Sequence, residues 1–249
     1  MRNLFTFTFF VFAVYGSFAQ TKTGKIIYKV EINGKPYIDL ISTENTPDSE
    51  EIIIEHRKDA ISKAKPINYF LCFNGSESVF LPEYNLAESR RLGIQWNWTS
   101  FATKSYFNYY SNITKNETFG QSYFTDRVNV LFDKIHWEIT QETKQIGNYI
   151  CYKATGLNSN KKEFGFNHLK PAVAWFTPQI PVPFGIQEFS GLPGLVLEME
   201  MFIEYGTVHY VATSIELNVE IDQKIENNKG KVINEQEYFE LLTELNAGR

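Results

Sequence analysis

The sequence predicts a mainly β chain with a minor helical share, an antiparallel meander forming a curved sheet, with one helix near the N-terminus and a short C-terminal helix. Three observations carry this. Apolar residues recur at period two, as in KIIYKVEIN (25–33), which marks strands with one buried face. Asn-Gly pairs at 33–34 and 74–75 stand where such runs end and signal tight hairpins. Aromatic residues make up 16% of the chain, and their large apolar areas favour strands.

In chain order, Met1 and Arg2 precede an almost wholly apolar run from Leu4 to Tyr15, and Ser17-Phe18-Ala19 supplies small residues before Gln20. This reads as a secretory signal peptide over residues 1–19. A dozen apolar residues fall short of the ~20 that a membrane-crossing helix needs, so residues 20–249 are expected to be an exported, non-spanning single domain in the periplasm or envelope. Losing Arg2 takes the net charge from −5 for the whole chain to −6, which argues against a nucleic-acid partner.

After KIIYKVEIN, PYIDLIS (36–42) is expected to return as a second strand. Ser49 then caps EEIIIEHRKDAISKA, with acids first, bases later and Pro66 just past the end, the pattern of a helix. NYFLCFN and SESVFLP flank Asn74-Gly75 as a hairpin. From Ile94 to Thr177 the runs IQWNWTSF, YFNYYSNI, QSYF, VNVLF, IHWEIT, NYICYKAT and AVAWFT continue the meander, each about one strand long. VHYVATSIELNV makes a last long strand. Asn234 with Glu237 three residues on forms a capping-box signal ahead of Tyr238, Leu241, Leu242 and Leu245, an apolar stripe that must dock.

The segment TPQIPVPFG places Pro178, Pro181 and Pro183 close together. Prolines give a sheet few donors and favour extended, solvated backbone, so a surface loop is expected, running to Gly185. In FSGLPGLVLEMEM, Leu192-Pro193-Gly194-Leu195 suits a type II turn with positive φ at Gly194. That turn sets the register of a strand with Leu195, Leu197, Met199, Met201 and Ile203 inward and Glu198 and Glu200 outward.

The motif Gly191-Leu192-Pro193-Gly194-Leu195-Val196, with AWFT (174–177), IGNYICYKA (146–154), IIYKV and GKVINEQEY, resembles the GLPGLI family of Gram-negative envelope proteins. The pieces span most of residues 20–249 in the expected order. Val196 replaces the final isoleucine, and Ile186 stands where a proline often follows the glycine. The resemblance implies an exported protein that acts beside outer-membrane proteins, such as a TonB-dependent receptor, rather than any particular chemistry. The meander is also similar, at the level of fold alone, to the open half-barrels of lipoprotein-carrier-like proteins.

Catalytic motifs are lacking: there is no GxSxG, P-loop, HExxH or GxGxxG, so no enzyme activity and no cofactor are expected. Ser190 has no base assigned to it and reads as a turn residue. Of His56, His136, His168 and His209, the last follows Met199 and Met201 across a short turn, and thioethers with imidazole suit Cu(I); the plainer reading is that the methionines fill an irregular core. Glu198 and Glu200 read as a solvated face rather than a glycosidase pair. Cys72 and Cys151 permit either a disulfide, worth roughly 4 kcal/mol for so long a loop, or two packed thiols. Trp96, Trp98, Tyr106, Phe107, Tyr109 and Tyr110 fill either a core or a groove. The four Asn-x-Ser/Thr sequons, at Asn74, Asn97, Asn112 and Asn116, read as chance.

Two functions follow as expectations. One is an envelope binding or accessory protein that contacts its partner through Pro178, Pro181, Pro183, Gly185, Gly191, Leu192, Pro193 and Gly194. The other is a carrier of a hydrophobic small molecule, which requires an apolar cavity of at least ~300 Å³ under the sheet.

Overall fold

The computed structural model describes residues 23–35, 55, 58–84, 97–104, 107–122, 128–157, 171–203, 206–222, 225 and 230–247. The expected signal peptide, the strand PYIDLIS, the Ser49 cap, Trp96, Tyr106, His56 and His168 lie outside the described residues. Of the helix expected from Ser49 onward, Glu55 and residues 58–62 are described and helical, while Lys63 forms a turn and Ala64 lies beyond the helix.

Twelve strands form one sheet: β1 (Thr23–Asn33), β2 (Ile67–Asn74), β3 (Glu77–Pro82), β4 (Phe107–Asn112), β5 (Glu117–Ser122), β6 (Val128–Phe132), β7 (His136–Ile146), β8 (Tyr149–Leu157), β9 (Ala172–Thr177), β10 (Leu195–Ile203), β11 (Gly206–Leu217) and β12 (Lys231–Asn234). Their order is β12-β6-β5-β4-β3-β2-β1-β11-β10-β9-β8-β7. Neighbours are antiparallel except β12 and β6, which run parallel. Asn74-Gly75 closes the β2–β3 hairpin as the sequence predicts, with Gly75 at φ +59°.

The connection from β6 to β7 dictates the shape. Residues 133–135 alone separate these strands, yet they stand ten positions apart in the sheet order, with nine strands between them. At ~4.8 Å per strand a flat sheet would hold them about 48 Å apart, whereas the step from Phe132 to His136 can reach at most ~14 Å. The sheet therefore curls until its two ends approach each other. Because β7 does not hydrogen-bond to β6 or β12, the result is an open half-barrel.

Tyr28, Tyr69, Phe80, Tyr109 and Tyr210 line its concave face and are essentially unexposed. Tyr69 stacks on Phe80 with ring centroids 4.9 Å apart. Phe107 and Tyr109 thus belong to the core, as the plainer reading of the aromatic runs requires.

Helix α1 (Trp98–Ala102) replaces the end of the strand expected for IQWNWTSF. Asn97 decides this locally: its Oδ1 accepts from the Thr99 amide at 3.2 Å while its Nδ2 donates to the Lys65 carbonyl at 2.8 Å, an N-cap that also fixes where the helix sits. Helix α2 (Glu235–Ala247) closes the chain. Its capping box forms in full, with the Glu237 amide on Asn234 Oδ1 at 2.8 Å and the Asn234 amide on Glu237 Oε2 at 2.9 Å. Tyr238 docks it on the core, with its ring 5.5 Å from that of Phe107 and its hydroxyl 2.8 Å from Ser122 Oγ. Leu241 and Leu242 pack behind it, but Leu245 is exposed, so the apolar stripe docks over its first three members.

Candidate functional site

Residues 178–194 depart most from expectation. Ile180, Val182 and Phe184 alternate with Pro181 and Pro183; the three apolar side chains are buried while Pro178 and Pro181 face outward. The segment is a plug folded into the half-barrel, not a solvated flap. Phe184 lies 5.4 Å from Phe73, ring to ring, and Ile186, Phe189 and Leu192 are buried with it. Gln187 fastens the plug: its Nε2 donates to the Thr103 carbonyl at 2.7 Å and to the Tyr210 hydroxyl at 2.9 Å. Of the residues expected to form an exposed contact edge, Pro178, Pro181, Gly191 and Pro193 are exposed, Pro183 is half-buried, and Gly185, Leu192 and Gly194 are buried.

The turn before β10 is also not type II. Gly194 is not among the positive-φ glycines; Gly191 is, at φ +96°. The Gly194 amide donates to the Leu192 carbonyl at 2.8 Å, a three-residue turn centred on Pro193. Glycine is needed at 194 because a Cβ there would lie 2.2 Å from the Thr177 carbonyl oxygen. Met199 and Met201 are buried and Glu198 and Glu200 half-exposed on the opposite face, as predicted, but a register shift between Val196 and Glu198 means the turn does not by itself set that phase: Leu195, Val196 and Leu197 are all buried, and Ile203 is half-buried.

That register separates the suggested metal ligands. Met199 pairs with Tyr210 and points into the core, whereas His209 pairs with Glu200 on the outer face, so the three cannot meet at one ion. No group of three His, Cys, Asp or Glu fit to hold a metal occurs among the described residues. The disulfide is likewise absent: Cys72 and Cys151 are buried free thiols on β2 and β8, five strand positions apart. Along the sheet that is about 24 Å, against a limit near ~7 Å for bridged Cα atoms. Burial pushes the Cys151 thiol up to about 11, with Lys144 opposing.

His209 instead joins an ion cluster on the outer face. Glu198 Oε1 accepts from Lys144 Nζ at 2.6 Å and lies 3.1 Å from His209 Nε2, and Lys144 also sits 4.3 Å from the centroid of the Trp175 ring. The hydrogen bond from His209, aided by Lys144, holds the Glu198 carboxyl below its ordinary range, and the same bond holds His209 above its own.

A cleft of about 290 Å³ opens where the plug meets the rim of the half-barrel. The β4–β5 turn contributes Ile113, Asn116 and Glu117, the β6–β7 connection contributes Asp133 and Lys134, and the plug contributes Glu188 and Ser190. Hydroxyls run along one wall: Ser111 Oγ to Thr118 Oγ1 at 3.0 Å, and Thr118 Oγ1 to Ser190 Oγ at 3.2 Å. Trp137 Nε1 donates to the Ser190 carbonyl at 2.9 Å, and its ring lies edge-on to Phe189, so the first strand beyond the rim positions the plug's end. Pro183 and Gly191 of the expected contact residues reach this cleft; the others do not line it. Glu188 escaped the sequence reading, although a lone acid between apolar neighbours in FGIQEFSG was a visible signal.

The carrier expectation fares poorly in this geometry. The concave face that would hold an apolar cargo is occupied by Ile180, Phe184, Ile186 and Leu192, and the cleft sits at the rim with Glu117, Asp133, Lys134 and Glu188 in its lining.

A family model described as a protein of unknown function (Porph_ging) matches residues 137–170 and 159–198. This stretch runs from Trp137 through the plug and its turn to Glu198. Two solved structures of PNGF-II, in the P21 and C2 space groups, share the fold at a TM-score of 0.52, with 17% and 16% identity. The similarity covers 89% of this chain and 33% of PNGF-II, so this chain spans about a third of that protein's length. A domain from Vibrio parahaemolyticus described as outer membrane lipoprotein-sorting aligns over 81% of this chain and 88% of its own at 6% identity, with a TM-score of 0.33 that carries no argument. The comparison with curated proteins gives no match.

Proposed function

We propose that the protein is an exported envelope binding or accessory protein of the GLPGLI kind, working through contact with another envelope component and without catalysis. An outer-membrane receptor of the TonB-dependent type is the partner this reading favours. The rim cleft is the observation that supports it: the GLPG-bearing plug, expected from the sequence to make the contact, presents Ser190 and Gly191 there beside two loops of the barrel. A volume near 290 Å³ falls at the small end of ligand sites, which suits a side chain or short segment of a partner better than a carried lipid. The recurrence of this fold as about a third of a longer chain agrees with a module that serves a larger assembly.

Cross-linking and affinity capture of the exported protein at native abundance tests this. A partner should be recovered with the wild type and lost with Ile113→Trp, which fills the cleft mouth from an exposed position. Recovery of the protein alone, or capture indifferent to Ile113→Trp, counts against it.

A further inference from the structure

We infer that Asn74 is a self-modifying site, converted through a cyclic imide to aspartate or isoaspartate, and that the product loosens the turn carrying Ile113. This does not depend on the contact reading above. In the first step the backbone nitrogen of Gly75 attacks Asn74 Cγ; a Cγ–N bond forms, and Nδ2 departs as ammonia with the proton that Gly75 gives up. Water then adds to one of the imide's two carbonyls. Breaking the new Cγ–N bond leaves aspartate, and breaking the original backbone C–N bond leaves isoaspartate, with one extra methylene in the main chain. Nothing is oxidised or reduced, and water is the sole co-reactant.

The reaction needs an unhindered attacking nitrogen and a peptide free to rotate. Two Asn-Gly pairs occur, at 33–34 and 74–75, and both asparagines are exposed, so the glycines decide. Gly75 is exposed at φ +59°, and a Cβ there would meet nothing within 4 Å. It opens the two-residue turn between the paired residues Asn74 and Glu77. The Asn74 side chain has no hydrogen-bond partner among the described residues. A solvent-facing hairpin tip of this kind opens locally at little cost in free energy. Gly34, in contrast, is buried: a Cβ there would run into the Ile61 side chain, and the Asn33–Gly34 peptide is pressed against Gly206. Asn33 Oδ1 also accepts from the Lys35 amide at 3.1 Å. The dipeptide is the same, but the fold opens one copy and locks the other.

The product acts on the mouth of the rim cleft. Asn74 stands directly opposite Glu77 in the β2–β3 ladder, so a new carboxylate there faces a like charge. The carbonyl of Ser76, in the same turn, accepts from the Ile113 amide at 2.9 Å, and Ile113 lines the cleft. A disturbed β2–β3 turn thus releases its hold on Ile113.

Peptide mapping by mass spectrometry tests the site, since each conversion adds about 1 Da. A denatured sample sets the pace: incubation at pH 8 in guanidinium chloride runs until each Asn-Gly pair has reached half conversion. Native protein held for the same time should show Asn74 converted at least about tenfold more than Asn33. Equal conversion of the two, or Asn74 protected as fully as Asn33, overturns the inference. For the effect on the cleft, Asn74→Asp supplies the charge and Asn74→Ser is its neutral control. Amide hydrogen exchange at Ile113 should be about two- to fivefold faster in Asn74→Asp than in Asn74→Ser. Equal exchange in the two variants overturns the coupling to Ile113.

Discussion

Tyr28, in the middle of β1, donates its hydroxyl hydrogen to the carbonyl oxygen of Val196, 2.6 Å away and 168 residues later in the chain. The bond crosses from the sheet's central strand to the point where the plug becomes β10. It lies in a site where both residues are about 1% exposed or less, and burial pushes the phenol well above its usual range.

Tyr28→Phe removes this donor without opening a cavity and leaves a buried carbonyl short of its partner. Loss of about 1–3 kcal/mol is expected, read from the urea midpoint at neutral pH. A change within experimental error would mean that the plug and β10 are held by packing alone.

Gly191 and Gly194 stand three residues apart in one motif but are needed for different reasons, and substitution separates them. A Cβ at Gly191 meets nothing within 4 Å, so Gly191→Ala faces only the strain of φ +96°, of order 1–3 kcal/mol. Gly194→Ala drives a methyl to 2.2 Å from the Thr177 backbone oxygen, which neither strand can vacate without breaking the β9–β10 ladder. The second variant should express poorly or unfold at far lower urea than the first. The reverse order would place the constraint in the turn's dihedrals.

The strands were legible because a half-buried strand writes its period into its own residues, and the capping box at Asn234 and Glu237 was legible because all four atoms come from one turn of helix. The plug was not. Ile180, Val182 and Phe184 alternate as a strand would, but the residues between them are prolines, exposed at 181 and half-buried at 183, and nothing local says that Phe73 waits 5.4 Å away to receive Phe184. Likewise α1 depends on Asn97 gripping Lys65 across 32 residues, and the cleft needs three connections that only the curl of the sheet brings together.

Both thiols should be inert in the folded protein. Cys151 is fully buried and its thiol is pushed up to about 11, chiefly by burial, while Cys72 is raised for the same reason. Since the thiolate is the reactive form, a disulfide-exchange reagent at pH 8 should titrate neither residue natively and both in urea without reductant. A pair that stays unreactive in urea until reduced would instead reveal a disulfide.

The outer-face cluster should make stability depend on pH in two opposite limbs. His209 is raised by its bond to Glu198, with Glu200 adding attraction and burial and Lys144 opposing. Its contribution is therefore complete below the unfolded histidine value of about 6.5 and fades as pH climbs through the higher folded value. Glu198 is lowered by His209 first, and by Lys144 against burial. Its contribution holds above the unfolded glutamate value of about 4.3 and fades as pH falls through the lower folded one. The cluster should thus stabilise most between about pH 5 and 6.5. Urea midpoints compared at pH 6 and pH 8 isolate the alkaline limb, because the buried tyrosines and thiols begin to matter only at higher pH. His209→Gln should reduce the drop between those two values. If the drop is unchanged, the ion cluster contributes nothing to folding and its geometry serves the surface alone.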